Sequence, residues 1–264
     1  MGSNISKYIM VVKVSLSNAL AYRIAIYSRL CFYTLFVYVF MSLWGAIYKE
    51  GSVHGYTYTQ IVWYLAMTEF VGYACTTDIY AVMNDEVKNG AIAYQLVRPT
   101  HYVSYQFANS IGQLIPNFVA FGVLGIALGL IFAGPLTYFS LAGILPLLLS
   151  LALGIALNFF IHMLIGLSSF VYEDNFALYL IYQKLTFMLG MFLPVEFLPQ
   201  WLQPIAKALP FSYVHWAPAK LFVDYSPSLA VWLIIRQAGW VAAFSGLVVA
   251  IYRVCVARLQ VNGG

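Results

Sequence analysis

The chain has 264 residues, of which 62% are hydrophobic and only 8% charged, with a formal net charge of +4 and a mean hydropathy of +0.83. Soluble domains carry roughly 25% charged and 45–50% apolar residues, so this composition excludes a soluble globular protein and marks an integral membrane protein. The apolar runs are much longer than the strands of about ten residues that build a membrane barrel, which leaves helices as the way to satisfy the backbone in lipid; the expected class is polytopic all-α.

Residues Ile5 to Tyr27 precede the first long apolar run. Wound at about 100° per residue, this region gathers Lys7, Lys13, Ser17, Asn18 and Arg29 on one arc and Ile5, Tyr8, Ile9, Val12, Leu16 and Ile26 opposite, with Arg23 off the polar arc. Segment 1–29 is therefore expected to hold an interfacial helix. It is too long and too charged for a signal peptide and lacks a small-residue cleavage site. The opening MGSNIS places Gly2 and Ser6 as an N-myristoylation pattern requires, a short pattern that often matches by chance.

A crossing takes about 20 apolar residues, and six stretches are expected to cross: Leu30 to Tyr48, Tyr58 to Tyr80, Val103 to Phe132, Leu141 to Val171, Phe176 to Val195, and Leu229 to Val254. The third and fourth exceed a single crossing, so tilt, kinks at Pro116 or Pro146, and extension beyond the membrane are all open. Inside these spans stand Glu69, Asp78, Lys184 and Arg236. Each costs about 2.5–3.5 kcal/mol at mid-bilayer on insertion scales, which makes each a functional candidate. Asp78 and Arg236 lie near span ends, where snorkelling accounts for them. Glu69 and Lys184 lie deeper, roughly 15 Å into their spans at 1.5 Å per residue. They are read either as a buried ion pair or as polar lining of a substrate path.

Between the second and third spans comes a polar island, MNDEVKNGAIAYQLVRPTHY, residues 83–102. Asp85 and Glu86 are expected near the start of a short helix, where its dipole favours them, and Gly90 and Arg98-Pro99 offer places to turn. A bare connection takes about 2–8 residues, so an island of about 20 is expected to have structure or a binding task of its own. In the third span, FGVLGIALGLIFAGP puts Gly125 and Gly129 at GxxxG spacing with Gly122 on a neighbouring face, which favours close packing within the subunit. The turn YEDNF, carrying Glu173 and Asp174, separates the fourth and fifth spans. Residues 196–228 interleave Pro199, Pro204, Pro210, Pro218 and Pro227 with aromatics, too apolar for a free loop and too broken for a span; this segment is expected to be re-entrant.

The Lys and Arg bias sets orientation. With the N-terminus inside, Lys7, Lys13, Arg23, Arg29, Lys88, Arg98, Arg253 and Arg258 are cytoplasmic, against Lys49, Lys207 and Lys220 outside. Both termini and the island are then cytoplasmic.

Cys31, Cys75 and Cys255 are too scattered for a disulfide framework or a metal cluster, and the four histidines stand far apart. The chain has no G-x-x-x-x-G-K-[ST] phosphate loop, no H-E-x-x-H zinc helix and no G-x-S-x-G elbow. Catalysis, a bound metal and a bound cofactor are not expected on this chain, which reads as a single transmembrane domain, 1–264.

Taken together, DEVKNGAIAYQLVRPTHYVSYQFANSIG, residues 85–112, and FLPVEFLPQWLQPIAKALPFSYVHWAPAKLFV, residues 192–223, resemble two stretches of the membrane subunits of ABC-2 type transporters, also called type V ABC exporters. The likeness extends over nearly the whole chain. It implies six spans with a cytoplasmic coupling helix at 83–102, and a separate ATPase, carrying ATP and Mg, docked beneath this subunit. It also implies pairing with a second membrane subunit, identical or different, in a plasma membrane, the inner membrane of a bacterium. On that resemblance Asp85, Glu86, Lys88, Gly90, Arg98 and Pro99 would couple to the ATPase, with Glu173 and Asp174 as a smaller contact. Glu69 and Lys184 would face the pathway. Export of an amphipathic or hydrophobic substrate is the expected work. The rival reading is a secondary transporter whose ion coupling leans on Glu69, Asp78 and Lys184.

Overall fold

The architecture comes from a computed structural model that describes residues 2–48, 53–98, 100–136, 140–172 and 174–257. Among the described residues eleven α-helices run in the order α1 (Gly2–Ala21), α2 (Arg23–Ile47), α3 (Tyr58–Ala74), α4 (Ile79–Lys88), α5 (Ile92–Val97), α6 (Tyr102–Ala133), α7 (Ile144–Leu167), α8 (Phe176–Thr186), α9 (Leu202–Ala208), α10 (Ser212–Val223) and α11 (Pro227–Ala257). Among the described residues no strand forms beyond one bridge between Val53 and Tyr56.

Among the described residues four helical stretches are long and apolar enough to cross a membrane: Ile24–Ile47, Tyr102–Ala133, Leu141–Phe170 and Pro227–Ala257. The second and fifth expected spans come out shorter. α3 has 17 residues, a rise of about 25 Å against a hydrocarbon thickness of about 30 Å. α8 has 11 residues and runs into a π turn over Phe187–Met191, where the backbone leaves helical angles at Gly190. The cause is close packing. A Cβ on Gly190 would lie 2.8 Å from Trp216 Cβ and 3.2 Å from Ser212 Cα, so the chain bends where α10 presses against it.

α3 is the centre of the bundle. Every residue from Ile61 to Val71 is buried, a helix apolar nearly all round that has protein on every side. A capping box starts it: Gln60 N–H donates to Thr57 Oγ1 while Thr57 N–H donates to the Gln60 side chain. α6, α2 and α10 surround it. The glycines of the expected GxxxG run admit aromatic rings from these neighbours. A Cβ on Gly125 would stand 2.5 Å from Tyr33 Oη, and one on Gly129 2.5 Å from the Trp63 ring. Small residues thus let helices approach where lipid offers no hydrophobic drive of its own.

The expected second span breaks between Ala74 and Ile79, and a broken helix in a membrane leaves carbonyls that need donors. α7 supplies them. Asn158 Nδ2 donates to Cys75 O at 3.0 Å, and His162 Nδ1 lies 3.0 Å from Thr77 O, which fixes that nitrogen as the protonated one. Further along, Asn175 Nδ2 donates to both Tyr80 O and Ile165 O.

α1 lies along the start of α6. Ser15 donates to Asn109 Oδ1, and a Cβ on Gly112 would collide with Val12 O and Ser15 Cβ. The packed face therefore centres on Ser15, while Ile5, Ile9, Met10, Val14 and Leu20 are exposed. Tyr8, Val12 and Leu16 of the expected apolar arc are partly buried on the same side, while Ile5 and Ile9 of that arc stay exposed. Pro146, read as a candidate kink, falls in the first turn of α7, where no intrahelical N–H is needed.

The proline-rich stretch forms a 3₁₀ turn at Val195–Phe197, then α9 and α10, and Pro227 opens α11 in the position that suits it. α10 is buried from Ser212 to Leu221 between α3 and α7.

Candidate functional site

Two features stand out: a surface made by α4 and α5, and a cavity beside α3. The island between α3 and α6 is built on a packed base. Ile79, Met83, Ile92 and Tyr102 join Phe159 and Met163 of α7 and Val248 and Cys255 of α11 in a second hydrophobic cluster. Gly90, at φ +70°, makes the turn between α4 and α5, a conformation that disfavours any side chain.

Asp85 and Glu86 lie in the last turns of α4 rather than at a helix start. The sequence reading placed a new helix at these acids, whereas α4 already begins at Ile79, so the helix dipole does not favour them there. Glu86 is satisfied otherwise. It accepts from Tyr102 Oη at 2.6 Å and from Gln95 Nε2 at 2.9 Å, which ties α4, α5 and α6 together. Asp85, Lys88 and Arg98 are exposed, with the Arg98 guanidinium 5.8 Å from the Tyr105 ring centre.

Two residues of this surface escaped the sequence reading. Tyr94 is 81% exposed and Val97 86% exposed. Three apart on α5, they share a face and make an apolar spot flanked by the exposed charges. Winding the island as a helix would have found them. Asp174 is exposed and accepts from the Phe176 backbone N–H at 2.9 Å, at the start of α8. Pro99 and Glu173 lie outside the described residues.

The cavity has a volume of about 380 Å³ and is bounded by α2, α3, α7, α8 and α10. Glu69 and Lys184 both line it. They do not pair. Among the described residues the ion pairs are Lys220–Glu196 and Lys220–Asp224, and Lys184 is exposed. α8 presents Lys184 toward the opening because Tyr182, two residues earlier, takes the inward side and donates to Asn158 Oδ1 at 2.6 Å. Asp78 and Arg236 are exposed at helix ends and faces, the latter 5.5 Å from the Trp232 ring centre.

A further cluster joins the α2–α3 connection to the proline-rich segment. Lys220 Nζ stands 2.7 Å from Asp224 and 3.6 Å from Glu196, and donates to Tyr56 Oη at 2.9 Å. Tyr56 in turn donates to Glu196 Oε2 at 3.0 Å, as does Trp216 Nε1 at 3.3 Å. Burial, and then the charge of Glu196, push the Tyr56 hydroxyl well above the ordinary tyrosine pKa, so it stays a donor. The sequence reading treated Lys220 only as a marker of topology.

A comparison with curated proteins finds no match. The family model described as ABC-2 family transporter protein matches residues 34–263, which takes in α3 to α11 entirely, both the exposed α4–α5 surface and the cavity included. The chain belongs to the ABC-2 transporter family and is a multi-pass membrane permease.

Proposed function

We propose that this permease is energised by a separate ATPase docking on the α4–α5 surface, and that it exports an amphipathic or hydrophobic substrate. The observation that carries the reading is the form of that surface. Tyr94 and Val97 stand exposed beside Asp85, Lys88 and Arg98, on helices fixed from behind by Met83, Ile92 and Tyr102. A rigid base under an apolar spot with a charged rim is the build of a protein-docking patch. ATP and its Mg belong to the partner, since this sequence lacks a phosphate loop.

In this reading the short helices α3 and α8 complete six crossings, both termini are cytoplasmic, and residues 196–228 are re-entrant. Two membrane subunits, identical or different, pair in a plasma membrane, the bacterial inner membrane for a bacterial source. Glu69 and Lys184 face the substrate path. A secondary transporter has weaker support, because Asp78 and Lys184 are exposed and only Glu69 of the three is buried. The test is affinity capture of the tagged permease in mild detergent. A nucleotide-binding subunit is expected to co-purify with the native chain and to be lost from Val97→Asp. Capture without any ATPase would overturn the reading.

A further inference from the structure

Glu69 is 2% exposed, and its Oε1 has no hydrogen-bond partner among the described residues. A buried carboxyl in that condition carries the full cost of lost hydration. No basic side chain among the described residues reaches ion-pair distance of it. The oxygen belongs to a residue that lines the cavity, as does His215, whose Nδ1 is buried and also without a partner. The Glu69 carboxyl therefore lacks a donor, and the cavity has room for a ligand that brings one. Its volume of about 380 Å³ lies within the range of small-molecule pockets and far exceeds the roughly 30 Å³ of one water.

The remaining walls are aromatic. Tyr179 and Tyr182 meet the His162 ring edge-on at 5.7 and 5.3 Å, and Phe187 closes another side. Such faces attract a cation as well as an apolar body. Lys184, exposed at the opening, repels positive charge near it, which leaves the Glu69 end of the cavity for a ligand's ammonium.

We propose that this cavity binds an amphipathic organic amine carrying one positive charge, its N–H donating to Glu69 and its apolar body lying against Tyr179, Tyr182 and Phe187. This names a substrate class for the proposed transport and rests on that reading for its role, but the binding itself needs no ATPase.

The full permease in phosphatidylcholine nanodiscs is titrated with two fluorescent probes: dansylcadaverine, which bears an ammonium, and dansylamide, which is neutral. Dansylcadaverine is expected to bind at least about tenfold more tightly, a difference worth about 1.4 kcal/mol. Glu69→Gln is expected to remove that preference while leaving dansylamide unchanged, and Phe187→Ala to weaken both probes. Equal affinities in the native chain, or a preference that survives Glu69→Gln, would overturn the proposal. Should Glu69→Gln fail to fold, labelling of native Glu69 by dicyclohexylcarbodiimide is read by mass spectrometry. Protection by dansylcadaverine supports the site, and undiminished labelling sinks it. Failure here leaves ATPase capture intact, whereas failure of ATPase capture leaves probe binding intact, so the two readings fall separately.

Discussion

Tyr102 Oη donates a 2.6 Å hydrogen bond to Glu86 Oε2, joining the first residue of α6 to the last turns of α4. Together with the bond from Gln95, it fixes the exposed face of α5 relative to a membrane helix. A hydrogen bond to a charged acceptor of this kind contributes about 1.5–3 kcal/mol. Tyr102→Phe is expected to lower stability by about that amount in a mixed-micelle unfolding titration. The same variant is expected to uncouple ATP hydrolysis from transport without abolishing ATPase capture. Unchanged coupling would show that the face needs no such bracing.

The exposed charges of the surface should behave differently from Glu86. Asp85→Lys and Lys88→Glu alter residues that project into solvent, so stability should stay within about 0.5 kcal/mol. Binding of the ATPase is expected to change by about 1 kcal/mol or less per site, and the effect should fade with added salt. Binding titrations at low and high ionic strength check both points.

Lys220 and Glu196 stand 3.6 Å apart and share Tyr56 between them. Lys220→Met leaves Glu196 half-buried without its cation, which should cost on the order of 2–3 kcal/mol in thermal unfolding. Adding Glu196→Gln should recover part of that loss, because the orphaned charge is then gone. Asp224→Asn is expected to do little, since Asp224 is exposed.

Gly129 and Gly246 give a matched contrast. A methyl on Gly129 meets the Trp63 ring at 2.5 Å, while one on Gly246 meets nothing within 4 Å. Gly129→Ala is expected to destabilise by about 1–3 kcal/mol through overpacking. Gly246→Ala in the interior of α11 should stabilise by about 0.5–1 kcal/mol through lower chain entropy. A melting series on both variants decides.

Much of the exposed α4–α5 surface, the proposed docking face, was legible beforehand. Its location follows from the polarity of residues 83–102 against apolar flanks, and the turn at Gly90 from residue type. Which residues face outward was not legible. Asp85 and Glu86 are neighbours of like charge, yet one reaches solvent and the other holds Tyr102 and Gln95. That division depends on where α4 begins, and its start follows a break whose carbonyls are taken up by Asn158 and His162, more than 80 positions away in sequence.

The sequence by itself determined that this is a helical membrane protein, where its apolar runs lie and where its polar island interrupts them. Hydropathy is a local sum, and each of those features depends only on neighbouring residues. Tertiary structure alone decided that α3 and α10 sit inside while α2, α6, α7 and α11, the helices long and apolar enough to cross a membrane, lie around them. It also separated Glu69 from Lys184, leaving the carboxyl buried in a cavity and the ammonium at its opening. The reason is physical. Which face of an apolar helix meets protein and which meets lipid is set by small-residue contacts and by side chains such as Tyr33, Trp63 and Asn158 reaching across from other helices.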